Sequence, residues 1–151
     1  MGFSTSGAVA VMLIGILVAA SVLLPTLFTI GNATGDAFSA QAEQIREQKN
    51  TDVTINSAEN ASGTLTVNVT NEGTVTLGIS KTTLLVNGDY VSPDNTTVID
   101  DGTETTETRI WPPGTHLELE VDSIGDEVDG NVERVKVVTE TAVSDATEEI
   151  Q

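Results

Sequence analysis

His116 is the only histidine of the chain, and no cysteine accompanies it. Metal centres and activated nucleophiles both need several such groups converging on one point. Standing beside Pro113-Gly114, His116 reads as a solvated turn residue. The run Asp100-Asp101-Gly102-Thr103-Glu104 collects oxygen ligands of the kind calcium takes, about six to eight at a time. It lacks the D-x-[DN]-x-[DN]-G order of a calcium loop and reads as an acidic turn. With 23 Asp and Glu in 151 residues, paired carboxylates occur everywhere and single out no acid–base couple. There is no Gly-rich phosphate loop. The residues therefore predict no catalytic, cofactor-binding or metal site, and a protein that is not an enzyme.

Two kinds of residue remain that could carry function. Asn-x-Ser/Thr acceptors for N-linked sugar stand at Asn32, Asn60, Asn68 and Asn95, each with a non-proline middle residue. Asn68 alternates with Val67 and Val69, which places it outward on a strand. Four acceptors favour an exported domain. Trp111-Pro112-Pro113-Gly114 and Asn87-Gly88 are turns able to meet a partner. Trp111 itself either plugs the end of the core or anchors that partner, as Trp commonly does.

The elements that must position these groups begin with residues 8–30 (AVAVMLIGILVAASVLLPTLFTI), which carry no charge, while every charged side chain follows them. As a helix the stretch runs about 35 Å, enough to cross a hydrocarbon core of about 30 Å. A signal peptide has a basic n-region and a shorter apolar core. MGFSTSG has no Lys or Arg, and the cleavage-like Ala40-Gln41-Ala42 lies well beyond the run. Pilin precursors carry a basic residue just before the cut, and here none precedes Arg46. The sequence thus predicts a retained membrane anchor over 8–30 behind a short tail at 1–7. Basic residues are too far from the span to orient it, so the sugar acceptors alone place the domain outside. Pro25 is expected to kink the last turns. Gly7, Val11, Gly15 and Ala19 share one face, either a small-residue packing surface or ordinary membrane composition.

Residues 31–50 are polar, and Phe38, Ala42 and Ile45 fall on one helical face. They predict a helical stalk over 36–48, with Gly31 and Gly35 weakening its join to the span. From Thr51 the period becomes two: Val53 and Ile55, then Leu65, Val67 and Val69, then Val75, Leu77 and Ile79, and later Leu117, Leu119 and Val121. Asn71-Glu72-Gly73, Asn87-Gly88 and Asp101-Gly102 mark turns. Seven or eight short strands over 51–140 predict a mainly β domain, an immunoglobulin-like antiparallel β-sandwich, with a barrel as the alternative. Residues 141–151 read as an acidic tail.

Six Lys and Arg against 23 acids leave a net charge of −17, which excludes nucleic acid as a partner. The acids are spread over the whole domain and Lys is scarce. That pattern fits a halophile's surface better than a docking site for a basic partner, so residues 51–140 are expected to fold cooperatively only in high salt.

Taken in order, MGFSTSG before an uncharged helix, QKNTDVTI, LTVNVTNEGTVTL, LLVNGDYVSPD, IWPPGTHLELEV and VERVKVV resemble the F-type accessory subunits of the archaeal swimming filament, the archaellum, in their haloarchaeal form. The MGFS opening favours F over the related G-type. The resemblance spans nearly the whole chain. It implies a single-pass anchor in the archaeal cytoplasmic membrane, with the sandwich outside the cell beneath the surface layer. It further implies a structural stator role, with surface-layer protein, the G-type subunit and other motor proteins as partners, membrane lipid around the helix, and a homo- or hetero-oligomer. No cofactor and no catalytic residue come with it. An exported pilin-like or adhesion filament subunit is the alternative, and a sensor ectodomain ranks third. Intact-mass measurement of the native protein should find residues 2–30 retained in a membrane fraction; a mature start near Glu43 contradicts the anchor.

Overall fold

The computed structural model describes residues 3–128 and 130–151, with burial of side chains described from Gly7 onward. Two compact units emerge, Met1–Glu43 and Gln44–Gln151. One helix, α1 (Phe3–Asn50), supplies the described part of the first unit and the opening residues of the second. Met1 and Gly2, the head of the expected tail, lie outside the described residues, and the rest of that tail is helical. The join expected to be weakened by Gly31 and Gly35 is uninterrupted helix. Each Gly costs a helix about 1 kcal/mol relative to Ala, too little to interrupt a ladder flanked by an apolar run and by Ala-, Gln- and Glu-rich turns. Hydroxyls within the apolar stretch are satisfied inside the helix: Ser21 Oγ donates to Val18 O (2.7 Å), Thr26 Oγ1 to Val22 O (3.0 Å) and Thr29 Oγ1 to Pro25 O (2.9 Å). In hydrocarbon this is what such groups require. The helix is long and apolar enough to cross a membrane.

The second unit is an antiparallel β-sandwich, the class the alternation predicts. Its strands are β1 (Val53–Ala61), β2 (Thr64–Asn71), β3 (Leu77–Gly78), β4 (Thr83–Val86), β5 (Asp89–Val91), β6 (Asn95–Asp100), β7 (Thr103–Thr105), β8 (Ile110–Trp111), β9 (His116–Val121), β10 (Val135–Val138) and β11 (Ser144–Thr147). One sheet runs β1-β2-β9-β6-β7, the other β11-β10-β4-β5, and β3 pairs with β8 alone. Three tight hairpins carry positive φ at both central residues, Ser62-Gly63, Asn87-Gly88 and Asp101-Gly102, the geometry that suits the right-handed twist of the strands they join. Ser62-Gly63 went unnoticed in the sequence because its flanks are polar.

Alternation sets the core. Leu65, Val67 and Val69 of β2 and Leu117, Leu119 and Val121 of β9 face inward, as do Leu84 and Val86 of β4, Val91 of β5 and Val135 and Val137 of β10. In β1 the inward parity changes, from Val53 and Ile55 to Ala58, because Asn56 is an extra residue in a β-bulge opposite β2. A bulge shifts the alternation by one without breaking the pairing on either side. The strand expected at Val75 to Ile79 is shorter than its alternation suggests, since Ile79–Lys81 winds into a 3₁₀ turn.

Residues 141–151 are not a free tail. β11 pairs with β10, Ile150 packs on the core, and the segment ties into the edge of β1. There Ile55 N donates to Asp145 Oδ2 (2.8 Å), Asn60 N to Gln151 O (2.8 Å) and Gln151 N to Ala58 O (3.0 Å). Its acids hid a strand, since Ser-Asp-Ala-Thr has little β propensity and is held by the edge it covers.

Trp111 and Asn71 lock the sandwich at one end. Both are fully buried. The Asn71 carboxamide donates to Val75 O (2.9 Å) and Trp111 O (3.2 Å) and accepts from Gly73 N (3.1 Å). Its backbone pairs with Thr115 O and Gly114 N (3.1 and 2.7 Å), and the Trp111 indole N–H donates to Thr115 O (3.0 Å). The same turn grips the last residue of α1: Thr74 N donates to Asn50 O, and Glu72 N and Gly73 N to Asp52 O. A Cβ at Gly73 would stand 2.5 Å from Asn50 O, so the approach needs glycine. Replacing Asn71 by Leu strands several buried polar groups, each costing about 1–3 kcal/mol. Denaturant unfolding of Asn71→Leu should therefore fall by at least that much, and a loss below half of the lower figure would show that the carboxamide is dispensable.

Candidate functional site

The two outer faces of the sandwich differ in chemistry. On the five-stranded sheet, register places Thr66, Glu120 and Asn95 in one row with Glu59, and Asn68, Glu118 and Thr97 in the next. β1, β2, β6, β7 and β9 contain no Lys or Arg. Around the bulge, the Asn56 amide donates to Asn68 Oδ1 (2.9 Å) and Thr70 Oγ1 (2.6 Å), and Thr70 Oγ1 lies 2.8 Å from His116 Nδ1. His116 is thus exposed, as its neighbours suggest, but it is the first residue of β9 within a polar network on the sheet rather than a turn residue.

The four-stranded sheet turns out a different surface. Tyr90, Leu85, Lys136 and Ala146 form one cross-strand row, followed by Thr83, Val138 and Ser144. None of these outward positions is acidic. Asp145 points the other way, to the edge of β1. At one end of this face lies a groove of about 630 Å³ lined by Leu85, Asn87, Arg134 and Lys136, with Glu133 and Glu148 also on its wall. Asn87 builds that wall: its Oδ1 accepts from Glu133 N (2.9 Å) and Arg134 N (3.0 Å), and its Nδ2 donates to Asn131 O (2.8 Å). The Asn87-Gly88 hairpin expected to meet a partner is therefore the fixed rim of the groove. Arg134 and Lys136 make no ion pair among the described residues.

Lys81–Glu140 is the one ion pair among those residues. The hydrogen bond to Glu140 raises the Lys81 ammonium above its ordinary value, and its counterpart holds the Glu140 carboxyl below the usual range. Glu140 Oε1 also accepts from Gly78 N (3.0 Å). This pair fixes the 3₁₀ turn to the chain before β11.

Trp111 does not offer its ring to a partner, because the indole is sealed in the core and its N–H is used there. Pro113 and Gly114 of the same turn are exposed, while Pro112 is half-buried. Large apolar exposure in the sandwich lies instead at Tyr90 (67%) and Ile110 (56%). Of the sugar acceptors, Asn32, Asn60 and Asn95 are exposed and Asn68 is half-buried. Gly7, Val11, Gly15 and Ala19 are exposed on α1; a Cβ on either glycine would meet nothing. Asp100 to Glu104 form the β6–β7 hairpin, and no group of three or more His, Asp or Glu among the described residues is placed to hold a metal.

The grouping of Arg134 and Lys136 in one groove was not foreseen from the sequence. Glu133-Arg134-Val135-Lys136 looks like mixed charge along the chain, and only strand parity puts both cations on one side. The signal available was the spacing of two between Arg134 and Lys136 in a valine-alternating run.

The family model for archaeal-type flagellin matches residues 2–149. Among solved structures, the archaellum periplasmic stator protein FlaG from Sulfolobus acidocaldarius aligns over 64% of this chain and 97% of its own, at 16% identity and a TM-score of 0.44. No curated protein sequence matches the chain.

Accessibility orders the sugar acceptors. Asn60 stands exposed beside the Ser62-Gly63 hairpin, its carboxamide bonded to nothing among the described residues, whereas the Asn68 carboxamide and its Thr70 hydroxyl are both engaged by Asn56. Glycopeptide mapping should find sugar on Asn60 ahead of Asn68; full occupancy at Asn68 with Asn60 bare would reverse that order.

Proposed function

The chain belongs to the archaeal-type flagellin family, and from that premise we propose that it is a membrane-tethered stator component of the archaellum, linking the motor to the cell envelope by binding surface-layer protein. The observation that carries the reading is the joining of an uncharged span in α1 to a β-sandwich with an acidic surface. A long apolar helix with internally satisfied hydroxyls suits a single-pass anchor. A sandwich that offers outer faces and strand edges suits a structural partner.

The order of the motifs from MGFSTSG to VERVKVV supports the F-type, haloarchaeal form of this role. In that form the domain stands outside the cytoplasmic membrane beneath the surface layer, with the G-type subunit and other motor proteins as neighbours. The exposed small-residue face of Gly7, Val11, Gly15 and Ala19 is then available for helix–helix packing in the bilayer. The acid-rich surface supports function in high salt, where charge repulsion is screened over a few ångströms.

A second reading, an exported pilin-like filament subunit, is favoured by the family itself, whose name is that of a filament protein. A clean deletion separates the two. The stator role predicts non-swimming cells that still assemble filaments at least in part, with the tagged protein in the membrane fraction. Normal motility refutes that role. Recovery of the protein in sheared, purified filaments supports the subunit reading instead.

A further inference from the structure

Two of the tight hairpins carry the same chemical weakness. Where glycine follows asparagine or aspartate, no side chain shields the glycine nitrogen. Once deprotonated, that nitrogen attacks the preceding Cγ and closes a succinimide ring; asparagine loses ammonia, aspartate loses water. Water then opens the ring at either carbonyl, leaving aspartate or isoaspartate. By residue type, Asn87-Gly88 should react well before Asp101-Gly102, because a carboxylate must take up a proton before it can lose water, whereas an amide reacts as it stands. The backbones of the two turns do not alter that order. Val86 lies opposite Asp89 and Asp100 opposite Thr103, so each loop has two residues. Their φ values are 54° and 99° at Asn87-Gly88, and 46° and 81° at Asp101-Gly102, the same turn family. All four residues are exposed, and nothing stands within 4 Å of a Cβ built on either glycine.

The side chains do differ. Asn87 Oδ1 accepts from Glu133 N (2.9 Å) and Arg134 N (3.0 Å), Nδ2 donates to Asn131 O (2.8 Å), and Asn87 N donates to Arg134 O (2.8 Å). Ring closure requires the carboxamide to turn toward Gly88 N and the backbone to leave the turn, so all of these bonds must break together. The Asp101 carboxylate is bonded to nothing among the described residues and is free to make the same movement. We infer that Asp101 is a site of spontaneous isoaspartate formation in the folded protein, and that residues 131–134 hold Asn87 inert, reversing the order that residue type alone sets. Conversion of Asn87 would not be silent. A carboxylate there cannot donate to Asn131 O, and it adds a negative charge to a groove that already holds Glu133 and Glu148. At Asp101 the product keeps the same charge on a short edge hairpin whose β7 residues are all exposed. Asp129 of a further Asp-Gly pair lies outside the described residues. The inference rests on hydrogen bonding within the domain and is independent of the stator reading.

The test incubates the full chain in detergent micelles at high salt and mildly alkaline pH, folded or unfolded in urea, with circular dichroism to confirm the state. Peptide mapping by mass spectrometry, with chromatographic separation of isoaspartyl peptides, follows both sites. Asp101→Asn places an amide in each hairpin of one molecule, so that only the surroundings differ. In the folded variant, position 101 should deamidate at least about tenfold faster than Asn87, since hydrogen bonds must be lost at Asn87 alone. In urea the two rates should converge. The wild type, held until its unfolded form has isomerised half of Asp101, should show isoaspartate at 101 and intact Asn87 when folded. Equal rates at the two positions of the folded variant would assign protection to the turn conformation and overturn the proposal. Asn87 reacting in the folded chain as fast as in urea overturns it too, as does a folded wild type without isoaspartate at 101.

Discussion

The Asn71 carboxamide holds together the parts of this domain that alternation alone cannot join. It is a polar group without solvent access, and its donors and acceptor are all used. A buried amide left unbonded costs more than its bonds contribute, so the residues it touches must arrive together. Those residues are the end of β2, the turn leading toward β3 and the Trp111–Thr115 turn before β9. Trp111 seals the core beneath them and returns a hydrogen bond to Thr115. The end of α1 and the residues just after it meet the same turn, through Asn50 and Asp52. The entry of the chain into the sandwich, the closure of the core and the start of β9 therefore depend on one side chain.

Around this knot the strands need only alternate. Valine and leucine on one parity fill the interior, and the other parity is free to differ between sheets. It differs in a consistent way. The five-stranded face is threonine, asparagine and glutamate, tied by the Asn56–Thr70–His116 network. The four-stranded face keeps leucine, tyrosine and valine, with Arg134 and Lys136 beside Glu133 and Glu148 in the groove at its end. Nothing in core packing demands that division, since outward positions are interchangeable as far as the interior is concerned.

The edges show the same economy of means. β11 and the residues after it cover β1, which would otherwise present a row of unpaired backbone groups. β7, at the far end of that sheet, is short and bears Thr103, Glu104 and Thr105, all exposed, a composition that discourages pairing. Asp145 serves both ends of this logic: it sits in a strand that a reader of the sequence takes for a tail, and its carboxylate accepts the Ile55 amide from the bulged strand. β1 is the edge strand of its sheet, so an N–H on its outer side must find an acceptor beyond the sheet, and Asp145 supplies one to Ile55.

What the sequence determined by itself was whatever depends on near neighbours. An uncharged run sets the length of the apolar helix, a period of two sets which valines and leucines face inward, and Asn-Gly and Asp-Gly fix two of the three tight hairpins because positive φ is a local demand. Tertiary structure decided the rest. Whether Trp111 lies inside or outside depends on Asn71, forty residues away in the chain. Whether His116 is in a turn or a network depends on the bulge at Asn56. Residues 144–147 become a strand only when β10 and the edge of β1 are there to accept them. Arg134 and Lys136 become a surface only when β4 and β5 lay Leu85 and Tyr90 beside them. Each of these rests on contacts between residues far apart in sequence, whose formation is governed by the packing of the whole domain and leaves no periodic trace in the local chain.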